Sequence, residues 1–165
     1  MSRIDLDALT SAMVEYNSGD VARINHLLKV TSFARMIAVG EGLSPELVET
    51  VVAASLTHDI GIKLSEEKYN RSAGYYQQIE GPPEAMKMLQ TIGCEEELAE
   101  RVCWLIAHHH DYASVSEIDH RILVEADFLV NAFESELGEE AIASAKQRVF
   151  ETGTGNKLLG LLYGI

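Results

Sequence analysis

Imidazoles and carboxylates recur along the chain in an order suited to metal chemistry: His26, the pair His58-Asp59, the triplet His108-His109-His110, then Asp127. Together they are a ligand set for Zn, Fe, Mn or Ni. Helices in a bundle can project such side chains inward to one point. Each has a plainer reading when taken alone. His26 would serve as a hydrogen-bonded core histidine, and the triplet would suit a solvated helix C-terminus, where imidazolium is favoured by the helix dipole. His120 stands outside the pattern and reads as a surface residue.

The elements that must position these residues are helical. Apolar residues recur at helical spacing almost throughout, and strand-like alternation flanked by Asn-Gly or Asp-Gly is missing. Asp20 is a good N-cap for a helix through Ile24, Leu27 and Phe33 that should stop at Gly40 or Gly42, with His26 inside it. Ser44-Pro45 caps and opens a second helix that ends near Gly61, so His58-Asp59 closes a buried helix. The polar stretch from Lys63 to Gly81 reads as a long loop with one helical turn, a candidate lid. Pro82 or Pro83 should start a helix stopped by Gly93, and Glu95 to Ala107 should form another that ends at the histidine triplet. A helix from about Asp119 to Phe133 carries Asp127 on or beside its apolar stripe. Glu139 to Phe150 and a short apolar segment, Leu158 to Tyr163, complete an all-α bundle of about seven helices. No element is assigned before Asp20. No repeat, low-complexity tract or linker divides the chain, so residues 1–165 are expected to be one domain, with 139–165 packing on a core at about 21–135.

With its flanking residues, the order His, His-Asp, Asp resembles the HD-domain superfamily of metal-dependent phosphohydrolases. The segments that carry the resemblance are Ile24-Asn25-His26-Leu27-Leu28-Lys29-Val30, Ala53-Ala54-Ser55-Leu56-Thr57-His58-Asp59-Ile60-Gly61 and Leu123-Val124-Glu125-Ala126-Asp127. It implies an HD-type helical domain in which His26, His58, Asp59 and Asp127 hold one divalent metal.

Some members of the superfamily hold two metals, using a further ligand after the His-Asp pair and a His-His pair at the end of the next helix. By that resemblance His109 and His110 are the pair, a shift to His108 and His109 being the alternative. Glu80 stands where relatives place a histidine before a Gly-Pro start, and so substitutes for it, with Asp59 bridging both ions. Relatives also carry a phosphate-contacting lysine four positions after the paired histidine. Here Ile62 occupies that place and Lys63 follows, turned by about 100° on a helix. Lys63 is the catalytic candidate beside His58 and Asp59, while Lys29, Lys68 and Arg71 are candidate phosphate clamps that read equally as ordinary surface charges. Glu80 likewise reads as an acidic residue favoured at a helix start, and Tyr75 and Tyr76 as residues that stack on a base or pin the loop.

The expected cofactor is thus one or two divalent ions, Fe, Mn, Zn, Ni or Co, with Mg also admissible. The expected reaction is hydrolysis of a phosphate ester or anhydride of a small nucleotide-like metabolite. A diiron oxidase of the same fold and a non-catalytic metal or nucleotide sensor are the alternatives. Composition narrows the partners. The 26 acidic against 13 basic residues leave a formal charge of -13, which argues against a nucleic-acid or anionic-membrane partner. A bound metal would supply the local positive centre that an anionic substrate needs. Cys94 and Cys103 form no Cys-x-x-Cys motif or dense framework, and the N-terminus lacks a signal-peptide pattern. A cytoplasmic protein is expected, and a homo-oligomer is compatible with the sequence.

Overall fold

In a computed structural model that describes residues 2–165, the chain forms nine α-helices: α1 Leu6–Tyr16, α2 Val21–Gly40, α3 Pro45–Thr57, α4 Gly61–Tyr69, α5 Gly74–Thr91, α6 Glu96–His108, α7 Ile118–Glu134, α8 Glu139–Arg148 and α9 Gly153–Tyr163. Strands are absent among the described residues. The starts follow their caps: the Asp5, Asp20 and Ser44 side chains accept from the backbone N–H groups of Ala8, Arg23 and Leu47. Gly42, in the left-handed region at φ 72°, turns the chain after α2.

Two helices exceed the expected seven. α1 lies in the stretch for which no element was assigned. The other, α4, stands where a long loop and lid are expected: residues 63–81 are helical apart from a connector at 70–73, and α4 packs on α5 instead of forming a loop. Asn70 terminates α4 in a left-handed conformation, φ 54°. Pro82 and Pro83 do not start α5 but lie inside it. Proline there removes two intrahelical donors, and packing against α4 and α6 holds the helix regardless. The glycines of this region are contacts rather than punctuation. A Cβ on Gly61 would lie 2.7 Å from the Gly81 nitrogen and 2.9 Å from the Gln77 carbonyl oxygen, so α4 starts with its backbone against α5.

α2 packs on α3 and α7, and α3 also meets α6 and α1. Their shared core includes Leu27, Val30, Val51, Leu56, Leu105, Ile106, Leu123 and Ala126. α3 is buried continuously from Thr50 to Thr57, which brings the His58-Asp59 junction into the interior. α9 is tied to α7 and α2. Fully buried Glu125 accepts from the Glu151 and Thr152 backbone N–H groups (3.1 and 3.2 Å) and the Thr152 hydroxyl (2.6 Å), and Tyr163 Oη donates to the Leu129 carbonyl (2.5 Å). A Cβ on Gly155 would collide with the Glu125 carboxylate and Thr152 Oγ1. Gly155→Ala is therefore expected to destabilise the protein by about 1–3 kcal/mol while metal content is retained. A melting curve and metal analysis of that one variant check both halves. None of the described helices is long and apolar enough to cross a membrane.

Candidate metal centre

Four helices deliver the centre. His26 comes from the second turn of α2, His58 and Asp59 from the junction of α3 and α4, His109 from the end of α6, and Asp127 from the middle of α7. All five are buried. His26 Nε2 lies 3.2 Å from Asp59 Oδ2, 3.2 Å from Asp127 Oδ1 and 3.4 Å from His58 Nε2. His58 Nε2 is 3.2 Å from Asp127 Oδ1 and 3.5 Å from Asp59 Oδ2. The other Asp59 oxygen, Oδ1, faces His109 Nε2 at 3.4 Å. Two overlapping groups have metal-ligand spacing, His26-His58-Asp127 and His58-Asp59-His109.

The chemistry of this donor set fits a transition metal. The Nδ1 atoms of His58 and His109 are each bonded to a carbonyl oxygen of their own helix, Ser55 at 2.8 Å and Ile106 at 2.7 Å. This leaves each Nε2 lone pair facing inward. His109 Nε2 is buried without a hydrogen-bond partner, as expected of an atom reserved for a ligand. Without metal the cluster holds itself together by charge. Burial opposes protonation of His26, but Asp127 and Asp59 outweigh it and push its pKa up to about 10. Burial likewise works against charged His58, and Asp59 and Asp127 reverse the balance and raise it. Burial alone would raise the Asp59 and Asp127 carboxyls, yet His58 foremost, with His26, holds both well below the usual carboxylate range.

The remaining candidates are distributed around this centre. His110 lies next to it, its ring 3.9 Å from that of His109, with Nε2 3.0 Å from Gln77 Oε1. Burial, followed by the nearby His109, pulls its pKa down to about 4. His108 turns away to stack on Trp104. Glu80 is not brought to the cluster: Lys68 Nζ and Tyr69 Oη each donate to its carboxylate at 2.9 Å, and Lys68 first, then Tyr69, lower its pKa. Glu80→Ala is thus expected to leave metal stoichiometry unchanged, which metal analysis of the purified variant checks; a lost equivalent would return Glu80 to the ligand set. Lys68 is engaged by that contact, and Lys29 by Glu134 at 2.9 Å. Arg71 is exposed on the connector between α4 and α5. Lys63 donates to the Tyr16 carbonyl at 3.2 Å. Tyr76 stacks on Tyr69. His120 is not a surface residue: it is 1% exposed, with Nε2 2.8 Å from the His108 carbonyl oxygen.

Two residues at the centre were not singled out from sequence. Arg23 Nη1 donates to Asp59 Oδ2 at 2.9 Å, and Arg23 Nε is buried without a partner. Arg23 also lines a cavity of about 160 Å³ with Tyr16, Asn17, Asp20, Lys63 and Glu66. Its place three residues before His26, on the same helix face, was the available signal. Glu134 Oε2 lies 2.9 Å from His26 Nδ1. It follows Asp127 by two helical turns.

Residues 23–146 match the HD domain family, and the chain belongs to that family. A solved structure from an uncultured Thermotogales bacterium, described as a predicted HD superfamily hydrolase, is similar at TM-score 0.67 and 22% sequence identity over 94% of this chain and 83% of the other. At that identity the likeness speaks to the fold. No curated protein matches the sequence.

Proposed function

We propose that the protein is a metal-dependent phosphohydrolase that cleaves a phosphate ester or anhydride of a small metabolite. The observation that carries this reading is the pair of overlapping buried groups His26-His58-Asp127 and His58-Asp59-His109, with Asp59 Oδ2 also 3.2 Å from His26 Nε2 and accepting from Arg23, which lines a cavity. His26, His58, Asp59 and Asp127 would hold one divalent ion, and Asp59 would share its second oxygen with His109 at an adjoining position that His110 borders. A divalent metal there supplies Lewis acidity toward phosphoryl oxygens and makes water acidic enough to serve as nucleophile near neutral pH.

The chain's own contribution is to bind and orient the anion. Arg23 has an unpartnered Nε beside the centre and is suited to donate to phosphoryl oxygens as a planar fork. Lys63, on the same cavity wall, is the second cation. The cavity would receive the group beyond the phosphate. It is smaller than the roughly 300 Å³ at which drug-sized pockets begin, so a nucleoside would project from it, and compact phosphate esters belong in a substrate screen beside nucleotides. The oxidase alternative drew on carboxylate-rich ligation by Glu80, whose carboxylate is held elsewhere. The two cysteines are unpaired, which supports a reducing, cytoplasmic setting.

Phosphate release should be measured from nucleotides and compact phosphate esters after reconstitution with Mn, Fe, Co, Ni, Zn or Mg. Metal-dependent release is expected. A metal-loaded protein that releases no phosphate and consumes oxygen would overturn the reading. Arg23→Met is expected to keep its metal and lose about 100-fold in kcat/KM, the effect of removing a preorganised donor. Unchanged kinetics would remove Arg23 from substrate binding.

A further inference from the structure

Three histidines present Nε2 to the centre, and they are held there in two different ways. His58 and His109 are fixed by carbonyl oxygens three residues back in their own helices, Ser55 at 2.8 Å and Ile106 at 2.7 Å. His26 has no such arrangement. Its Nδ1 lies 2.9 Å from Oε2 of Glu134, which is 108 positions away at the last residue of α7. The other Glu134 oxygen accepts from Lys29 Nζ at 2.9 Å, and Lys29 stands three residues after His26 on the same face of α2.

Lys29, Glu134 and His26 thus close a clamp between α2 and α7, the two helices that supply His26 and Asp127. A carbonyl oxygen would be enough to select the Nδ1–H tautomer. A carboxylate also strengthens the imidazole as a donor, and groups of this kind typically contribute 10- to 100-fold to metal affinity.

We propose that Glu134 is the positioning residue of the metal centre: it accepts from His26 Nδ1–H, fixes the ring and its tautomer, and makes Nε2 a stronger ligand, while Lys29 holds the Glu134 carboxylate. This rests on the metal-hydrolase reading. It gives Lys29 a structural partner in place of a substrate phosphate.

The test uses the full chain and Co(II) alone. Affinity is measured by competition with a chelating dye, and the His26 tautomer by ¹⁵N–¹H correlation on the zinc-loaded protein. Glu134→Ala should bind Co(II) about 10- to 100-fold more weakly and lose the hydrogen-bonded Nδ1–H signature of His26. Glu134→Gln has nearly the same shape, and its amide oxygen still accepts. It should recover the tautomer and part of the affinity, which a merely packing role would not distinguish. Lys29→Met should weaken binding less than Glu134→Ala, and should add nothing in the double variant. Should Glu134→Ala fail to fold, the Gln variant and Lys29→Met carry the comparison. Wild-type Co(II) affinity in Glu134→Gln and Lys29→Met, or wild-type affinity with an unaltered His26 signature in a folded Glu134→Ala, would overturn the proposal and leave the metal reading intact. A wild-type protein that binds no Co(II) would overturn the metal reading, and this proposal with it.

Discussion

Asp59→Ala is expected to abolish tight metal binding and hydrolysis together. Asp59 is where the contacts of the centre meet: Oδ2 faces His26 and His58 and accepts from Arg23, while Oδ1 faces His109. On the proposed assignment, removing it would take a ligand from the first position and the shared oxygen from the second, and it takes away the carboxylate that Arg23 donates to. Lewis-acid stabilisation is worth several kcal/mol, so turnover should fall by about a thousandfold or more. The helices should persist, because the core of Leu27, Val51, Leu56 and Ile106 does not depend on this side chain. Circular dichroism with metal analysis and a phosphate assay distinguishes loss of the centre from loss of the fold. A folded Asp59→Ala protein with full activity would contradict the phosphohydrolase account.

The second large effect is on pH. In the metal-free protein the pKa of His26 is raised from 6.5 to about 10. The stability it contributes is therefore complete below about 6.5 and disappears as pH rises toward 10. Asp59 and Asp127 are shifted the opposite way, below 3.8. Their contribution is complete above the ordinary carboxylate range and is lost as pH falls below it. Metal-free protein should accordingly be most stable between about pH 4 and 6.5.

Metal inverts the alkaline side, because ligation requires neutral imidazole and expels the proton. Between pH 6.5 and 9, each proton released should raise apparent metal affinity about tenfold per pH unit. The gap in melting temperature between metal-loaded and metal-free protein should widen over that interval. A gap that stays constant from pH 6.5 to 9 would show that His26 does not exchange a proton for the metal.

The parts of this fold legible in sequence are those with local signals. Asp20 and the Ser44-Pro45 pair mark the starts of α2 and α3, and apolar periodicity places His26 and Asp127 within helices and His58 at a helix end. The structure brings those residues together with Asp59 and His109. Signals that depend on tertiary context were misread. Gly81, Pro82 and Pro83 resemble breakers, yet packing on α4 and α6 holds α5 through all three. Gly81 is needed where α5 packs on Ile106 of α6, 2.8 Å from the position of an added Cβ, an approach that no local pattern reveals. Once residues 74–91 are helical, Glu80 takes the orientation of that helix and meets Lys68 and Tyr69. Glu134 was hidden for another reason: its partner lies 108 residues away, and only the packing of α2 on α7 joins them.

The most direct test of the central claim is metal content measured on tag-free protein, wild type beside Asp127→Ala. The account predicts at least one equivalent of a transition metal in reconstituted wild type. It also predicts near-complete loss in Asp127→Ala, whose carboxylate faces both His26 and His58. Well-folded wild type that retains no transition metal after reconstitution, or equal metal in the two proteins, would contradict it.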